Sequence, residues 1–288
     1  MIDSLAIGRF DGIHLGHRAL FERLTKDGAI LAIETGRSNL TPPEFIDKYV
    51  DKKLVFYRLE EIKDLDALGF LKKLKNDFPD LKKIVVGEDF RFAKDRAAGV
   101  DELQTLWDGE VEVVPELRIE GIGVHSKYIR TLILDGNVER AAIFLGREYE
   151  IFGKKIKGQG IGAQKLVATI NLDVSGFLLP NEGVYMSKIK ISDRCYPSVT
   201  FVGHRVSTDG NFAVETHIIG KFIDSENERY FLSFVKKIRG NKYFDSLSAL
   251  KESIDSDIRQ ATAFFLENAK IIPVFDDLHN DSKRKGNE

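Results

Sequence analysis

Through the first half of the chain, short aliphatic runs alternate with longer stretches in which apolar residues recur every three or four positions. The runs are LAIG (5–8), AILAIE (29–34), KLVFYRL (53–59) and KKIVVG (82–87). Between the first two runs, residues 16–26 have helical spacing, as does DLDALGFLKKLKNDF (64–78); after VEVVPE (111–116), residues 126–146 read as paired helices. Strand and helix periods in alternation predict βαβ units and an open α/β domain with a parallel sheet. From Tyr149 the texture changes. EIFGKKIKG, KLVATINL, GVYMSKIKI, YPSVTFVG, FAVETHII and RYFLSFVKKI follow one another across Gly, Asn, Asp and Ser turn signals, with no helix between them. Closely spaced strands of this kind predict an antiparallel sandwich or barrel, closed by one last helical stretch over 246–269. The boundary is expected at residues 145–149. The polar end, DDLHNDSKRKGNE, has no periodicity and is expected to be a disordered tail.

A length of 288 residues suits two domains, each able to bury its own core. The net charge of −2 arises from acids and bases in near balance, so no basic face points to nucleic acid. An anionic ligand must then be held locally. Cys195 is the sole cysteine, which excludes an internal disulfide framework, and no His or Cys spacing fits a zinc site. The opening MIDSLAIGRF lacks a basic region and a long apolar run, and no later stretch reaches membrane-spanning length. A soluble, unprocessed, cytoplasmic protein is expected, with no membrane partner; a homo-oligomer is compatible with the sequence.

The segment from Gly8 to His17, GRFDGIHLGH, lies between the first strand and the first helix. That junction is where α/β sheets bind ligands, with helix N–H groups and glycine backbone offered to phosphate. His14 and His17, three residues apart, can both donate hydrogen bonds to charge developing on a leaving pyrophosphate. Phe10, Asp11, Gly12 and Gly16 complete the segment. At these residues the chain resembles the nucleotidyltransferase superfamily and, more narrowly, the opening motif of prokaryotic bifunctional FAD synthetases. Two more segments are similar to that family. Gly87-Glu88-Asp89-Phe90, with Arg96 following, stands where the family has a loop lining the nucleotide and flavin pocket. His125-Ser126-Lys127-Tyr128-Ile129-Arg130 stands at a Ser-Ser-Thr-x-x-Arg helix start, where the resemblance implies that Arg130 clamps ATP phosphates with Ser126 and Lys127 nearby. His125 and Lys127 replace the family's Ser and Thr, and its Phe-x-Pro-x-Pro segment is absent.

In the second half, Gly158-Gln159-Gly160-Ile161-Gly162-Ala163 matches a loose dinucleotide fingerprint but precedes a strand rather than opening a helix, so no Rossmann site is assigned there. It resembles instead the glycine loop of the riboflavin kinase module, which leads into a Pro-Thr-Ala-Asn motif, here Ala168-Thr169-Ile170-Asn171. Thr169 and Asn171 lie two apart on a strand and so face one side, where their oxygens can ligate a hard cation. The resemblance implies Mg²⁺ there, with ATP, riboflavin and FMN as substrates. Glu215 matches the family's catalytic glutamate, and Arg239 falls in its C-terminal substrate-binding region. The resemblance thus implies a Rossmann-like adenylyltransferase domain (1–147), a β-barrel riboflavin kinase domain ending in a helix (148–276) and a tail (277–288). His14, His17, Arg130 and Glu215 are the expected catalytic groups. Nucleotide transfer to another phosphorylated acceptor, with the β domain a non-catalytic flavin sensor, is the alternative that the sequence leaves open.

Overall fold

The computed structural model describes residues 1–36, 39–158, 166–220 and 229–268. The chain divides into two compact units, Met1–Arg130 with Phe144–Gly146, and Thr131–Ile143 with the chain from Arg147 onward.

In the first unit the elements run β1 (Ser4–Gly8), α1 (Leu15–Phe21), β2 (Ala29–Glu34), β3 (Lys53–Arg58), α2 (Leu59–Ile62), α3 (Ala67–Asp77), β4 (Lys83–Gly87), α4 (Val100–Leu106) and β5 (Glu110–Val114), followed by the small hairpin β6 (Arg118–Ile119) and β7 (Ile122–Gly123). Five strands pair in parallel in the order β3-β2-β1-β4-β5. The alternation of a strand between two cores explains why β1 is buried from Ser4 to Ile7. Leu5 and Ile7 enter one core cluster, with Phe70, Leu71 and Leu74 of α3 and Leu103 of α4, while Ala6 enters another with Leu20 and Phe21 of α1. Because β1 lies between β2 and β4, the connections leave it toward opposite flanks. A crevice therefore opens at the carboxyl ends of β1 and β4, beside Gly8 and Gly87.

Two helices follow, α5 (Ser126–Leu134) and α6 (Val138–Leu145). The two compact units divide this pair between them: α5 leaves the first at Arg130, and α6 re-enters it at Phe144.

The second unit is a closed barrel of β8 (Tyr149–Ile156), β9 (Ile170–Asp173), β10 (Gly183–Ile191), β11 (Arg194–His204), β12 (Phe212–Ile218) and β13 (Tyr230–Gly240), paired antiparallel in the order β10-β11-β12-β9-β8-β13. Closure removes the exposed edges that six antiparallel strands would otherwise present. Tyr149, Tyr185, Tyr230 and Phe234 are fully buried, and Tyr185 meets Phe234 edge-on at 5.3 Å. Four buried hydroxyls cross three strands, Ser187 bonding Ser198 at 2.8 Å and Thr200 at 2.7 Å, and Thr200 bonding Thr216 at 2.9 Å. Each is satisfied by its neighbours, so none carries the cost of an orphaned polar group.

The chain ends in α7 (Leu247–Glu267), capped by Ser246 Oγ, which accepts the Ala249 N–H at 3.1 Å. Ala261 and Phe265 of α7 are wholly buried against Val184 and Met186 of β10, Val199 of β11 and Ile219. Phe265→Ala is expected to cost the second unit about 3–5 kcal/mol through lost burial and the void left behind. Urea unfolding followed by the near-ultraviolet signal of the barrel tyrosines checks this.

Candidate active sites

The loop from β1 to α1 has an unusual backbone. Phe10 (φ 43°) and Ile13 (φ 40°) join Gly12 (φ 91°) in the left-handed region, although both side chains are bulky and buried. Such residues cost of order 1–3 kcal/mol each and persist only where their surroundings hold them. Phe10 is held edge-on by Phe21 at 4.9 Å and by His17 at 5.2 Å, so it supports the loop from below. Asp11, only 4 % exposed, accepts the Leu40 and Thr41 N–H groups at 3.1 Å each and is ion-paired with Arg130. Burial pushes its carboxyl up from the ordinary range, against the Thr41 N–H and the Arg130 charge. Arg130 Nε also donates to Asn39 Oδ1 at 3.1 Å, and Ser126 Oγ donates to the Asp11 carbonyl at 2.8 Å. Start of α5 and loop are thereby tied together.

His14 caps α1, its Nδ1 accepting the His17 N–H at 3.3 Å. A ring that accepts at Nδ1 carries its proton on Nε2, which makes Nε2 the donor. The two imidazoles stack with centroids 3.5 Å apart. Gly16 permits this closeness, since a Cβ there would stand 3.2 Å from both His14 Nδ1 and the Val124 carbonyl oxygen.

At the end of β4 the Phe90 N–H donates to the Gly87 carbonyl at 3.0 Å, turning the chain back. Asp89 is exposed, whereas Phe90 stacks on buried Phe92 and packs partly into the core. Arg96 is exposed with φ 60°. Lys127 is exposed on α5, and His125 Nε2 meets Glu116 Oε1 at 2.5 Å, with Arg118 on the other Glu116 oxygen.

In the second unit a cavity of about 470 Å³ lies between barrel and α7. Thr169, Asn171, Glu215 and Arg239 all line it, as the sequence pattern expects of one site. The ladder explains how: Asn171 of β9 stands opposite Glu215 of β12. Gly158 also lines the cavity, and a Cβ there would collide with the Asn171 amide. Gly162 lies outside the described residues. Glu215 is held by Arg205, whose Nη1 donates to Oε1 at 3.0 Å. Burial pushes the Glu215 carboxyl up, and the Arg205 charge opposes the shift. Arg239 grips Asp257 of α7 with Nε and Nη2 at 2.8–3.1 Å, and so fastens the helix that roofs the cavity. His217 Nδ1 meets the Ala168 carbonyl at 2.8 Å, steadying the segment that carries Thr169 into β9.

A second cavity, about 680 Å³, is more polar in its side chains, with Lys157, Asp173, Asp209 and Asn211 in its wall. It shares Ile156, Lys157, Gly158, Asn171 and Arg205 with the first. The two therefore meet at Asn171 and Arg205. Arg205, Asp209, His217 and Asp257 had no role assigned from sequence: Arg205 and Asp209 pair within one turn, while Ala168 and Arg239, the partners of His217 and Asp257, come near only on folding.

A five-stranded parallel sheet with a His-x-Gly-His loop at its central crevice, followed by a closed barrel with a glutamate-bearing cavity, defines a two-module transferase of the nucleotidyltransferase and kinase kind. Residues 145–265 match the riboflavin kinase family model. Over 289 residues the chain is 27% identical to a bifunctional riboflavin kinase/FMN adenylyltransferase from Pseudomonas fluorescens, covering 91% of this chain and 93% of that protein. It is 29% identical over 291 residues to the protein of the same name from Buchnera aphidicola, with 91% and 93% covered. Over nine-tenths of its length the chain is thus similar to bifunctional riboflavin kinase/FMN adenylyltransferases. A solved structure from Streptococcus pneumoniae, described as a macrolide-efflux protein, superposes with a TM-score of 0.80 at 25% identity, covering 91% of this chain and 94% of that one. Among the described residues, no helix is long and apolar enough to cross a membrane.

Proposed function

We infer that this chain phosphorylates riboflavin to FMN with ATP, and adenylylates FMN to FAD with release of pyrophosphate. The observation that carries the reading is Glu215 facing Asn171 across the β9–β12 ladder, inside a cavity of the barrel that the riboflavin kinase family model spans. Residues 148–276 are assigned to the kinase module, 1–147 to the adenylyltransferase module and 277–288 to a tail. With ATP as co-substrate and a single cysteine, the cytosol is the compartment assigned.

In the kinase module the cavity under α7, walled by Val184, Val199, Phe201 and Ile258, suits the flavin ring, and the polar cavity beside it suits ATP. The shared residues then border the transferred group. The ribityl 5′-oxygen attacks the γ-phosphorus, the bond from phosphorus to the β,γ-bridging oxygen breaks, and Glu215 accepts the hydroxyl proton. A carboxyl raised by burial is a better proton acceptor near neutrality than an ordinary surface glutamate. The hydroxyl of Thr169 and the amide oxygen of Asn171 are hard donors and fit Mg²⁺ alongside ATP oxygens. When bound, the cation neutralises phosphate charge.

In the adenylyltransferase module an FMN phosphate oxygen attacks the α-phosphorus of ATP and pyrophosphate leaves. His14 and His17 are assigned to donate to the oxygens that gain charge. Gly8, Gly12, Gly16 and Gly87 let backbone approach the ligands; Asp89, Phe90, Arg96, Ser126 and Lys127 are assigned to the surrounding nucleotide and flavin contacts. Arg130, at the start of α5, is assigned to the ATP phosphates.

Incubating the purified chain with riboflavin, ATP and Mg²⁺ and resolving the products by chromatography should give FMN, then FAD. EDTA should stop both conversions and added Mg²⁺ restore them. FMN formation that survives EDTA would remove the cation from the mechanism, and absence of both products would remove the functional reading.

A further inference from the structure

The turn between β11 and β12 is braced from within. Arg205 N–H donates to the Asn211 carbonyl at 2.9 Å, and Thr208 and Gly210 N–H groups return to the Arg205 carbonyl at 2.9 and 3.1 Å. Asp209 accepts the Asn211 N–H at 3.1 Å and its side-chain amide at 2.7 Å. The same carboxylate takes Arg205 Nη2 at 3.1 Å. The guanidinium is therefore set in place by its own turn before it reaches across to Glu215 Oε1 at 3.0 Å. It stands where the two cavities meet.

Resting on the assignment of Glu215 as proton acceptor, we propose that Arg205, braced by Asp209, is a positioning residue for phosphoryl transfer: it fixes Oε1 of Glu215 and thereby presents Oε2 to the substrate hydroxyl. A carboxylate on a strand has two side-chain torsions plus a carboxyl rotation to settle. One charge-assisted bond from a rigid donor removes most of that freedom. The other charged groups around the cavity are placed differently. Lys155 and Lys157 come from the end of β8, Lys242 follows β13, and Arg239 is occupied by Asp257. Among the described residues, the hydrogen bond and ion pair to Glu215 come from Arg205.

A double-mutant cycle on the full chain tests this, reading kcat and KM for FMN formation. Arg205→Gln should lower kcat about 10- to 100-fold, the scale on which misplacing a reacting group acts. KM for ATP and riboflavin should change less than about threefold, and Arg205→Lys should recover part of the loss. In a Glu215→Gln background, Arg205→Gln should have no further effect beyond about twofold, because its action passes through the removed carboxylate. Equal losses in both backgrounds, or a raised KM for ATP with kcat intact, would overturn the positioning role. Glu215→Gln at the parental rate would overturn the proton-acceptor assignment instead, so the two failures are distinct. Should circular dichroism show Arg205→Gln unfolded, the cycle with Asp209→Asn decides: a smaller kcat loss that vanishes in the Glu215→Gln background supports the brace, and an additive loss refutes it.

Discussion

Glu215→Gln lowers kcat for riboflavin phosphorylation by about 10²-fold or more and leaves the barrel folded. The amide keeps the size and the position opposite Asn171 but has no proton affinity comparable to a carboxylate's. It can still accept a hydrogen bond from Arg205 through its oxygen, so the local geometry loses one charge-assisted bond and little else. Thermal unfolding should shift by only a few degrees, whereas FMN release under saturating ATP and Mg²⁺ should collapse. FAD formation from added FMN should proceed at the parental rate, since that step is assigned to the other module. Parental FMN formation by the variant would dismiss Glu215 as the base.

The second large effect concerns the other module. Changing His14 and His17 together to alanine should reduce FAD formation from FMN and ATP by about 10²-fold or more, the cost of losing donors to developing charge, while FMN formation continues. The stacked rings 3.5 Å apart share one side of the loop, which is why the pair should be removed together. Part of the effect is mechanical. His14 caps α1 and His17 holds the edge of Phe10, so single variants report different things. Asn at position 14 keeps a capping acceptor and isolates the chemical part. Undiminished FAD synthesis by the double variant would rule out both histidines as donors.

Much of the architecture could be read from periodicity. The aliphatic runs at 5–8, 29–34, 53–59 and 82–87 are buried parallel strands, and the dense strand signals after Tyr149 are the barrel, because burial on one or both faces writes its period directly into the chain. Strand order was not legible in this way: nothing in LAIG says that it lies between β2 and β4. At the sites, short motifs singled out Thr169, Asn171 and Glu215, and these residues share a cavity. Arg205 and Asp257 were given no role, because their partners Glu215 and Arg239 lie 10 and 18 residues away and are brought near by the β11–β12 pairing and by α7 folding back on the barrel. Arg130 shows the opposite difficulty. Its type and place in the helix start suggest a phosphate clamp, yet it also neutralises buried Asp11, a task that no local pattern announces.

The hydroxyls of Ser187, Ser198, Thr200 and Thr216 act as a checksum on the register of β10, β11 and β12. Thr216 follows Glu215 directly, and its ladder partner Ile170 precedes Asn171. Were β12 to slip by one residue against β11, Thr200 would face Glu215 or His217 in the ladder, and every side chain of the strand would change face. Buried hydroxyls would then be orphaned at roughly 1–3 kcal/mol apiece. Apolar residues of similar volume would tolerate that slip far more readily. A stripe of polar atoms sealed inside the barrel thus disfavours the registers of β12 on β11 in which Glu215 would be turned to the other face.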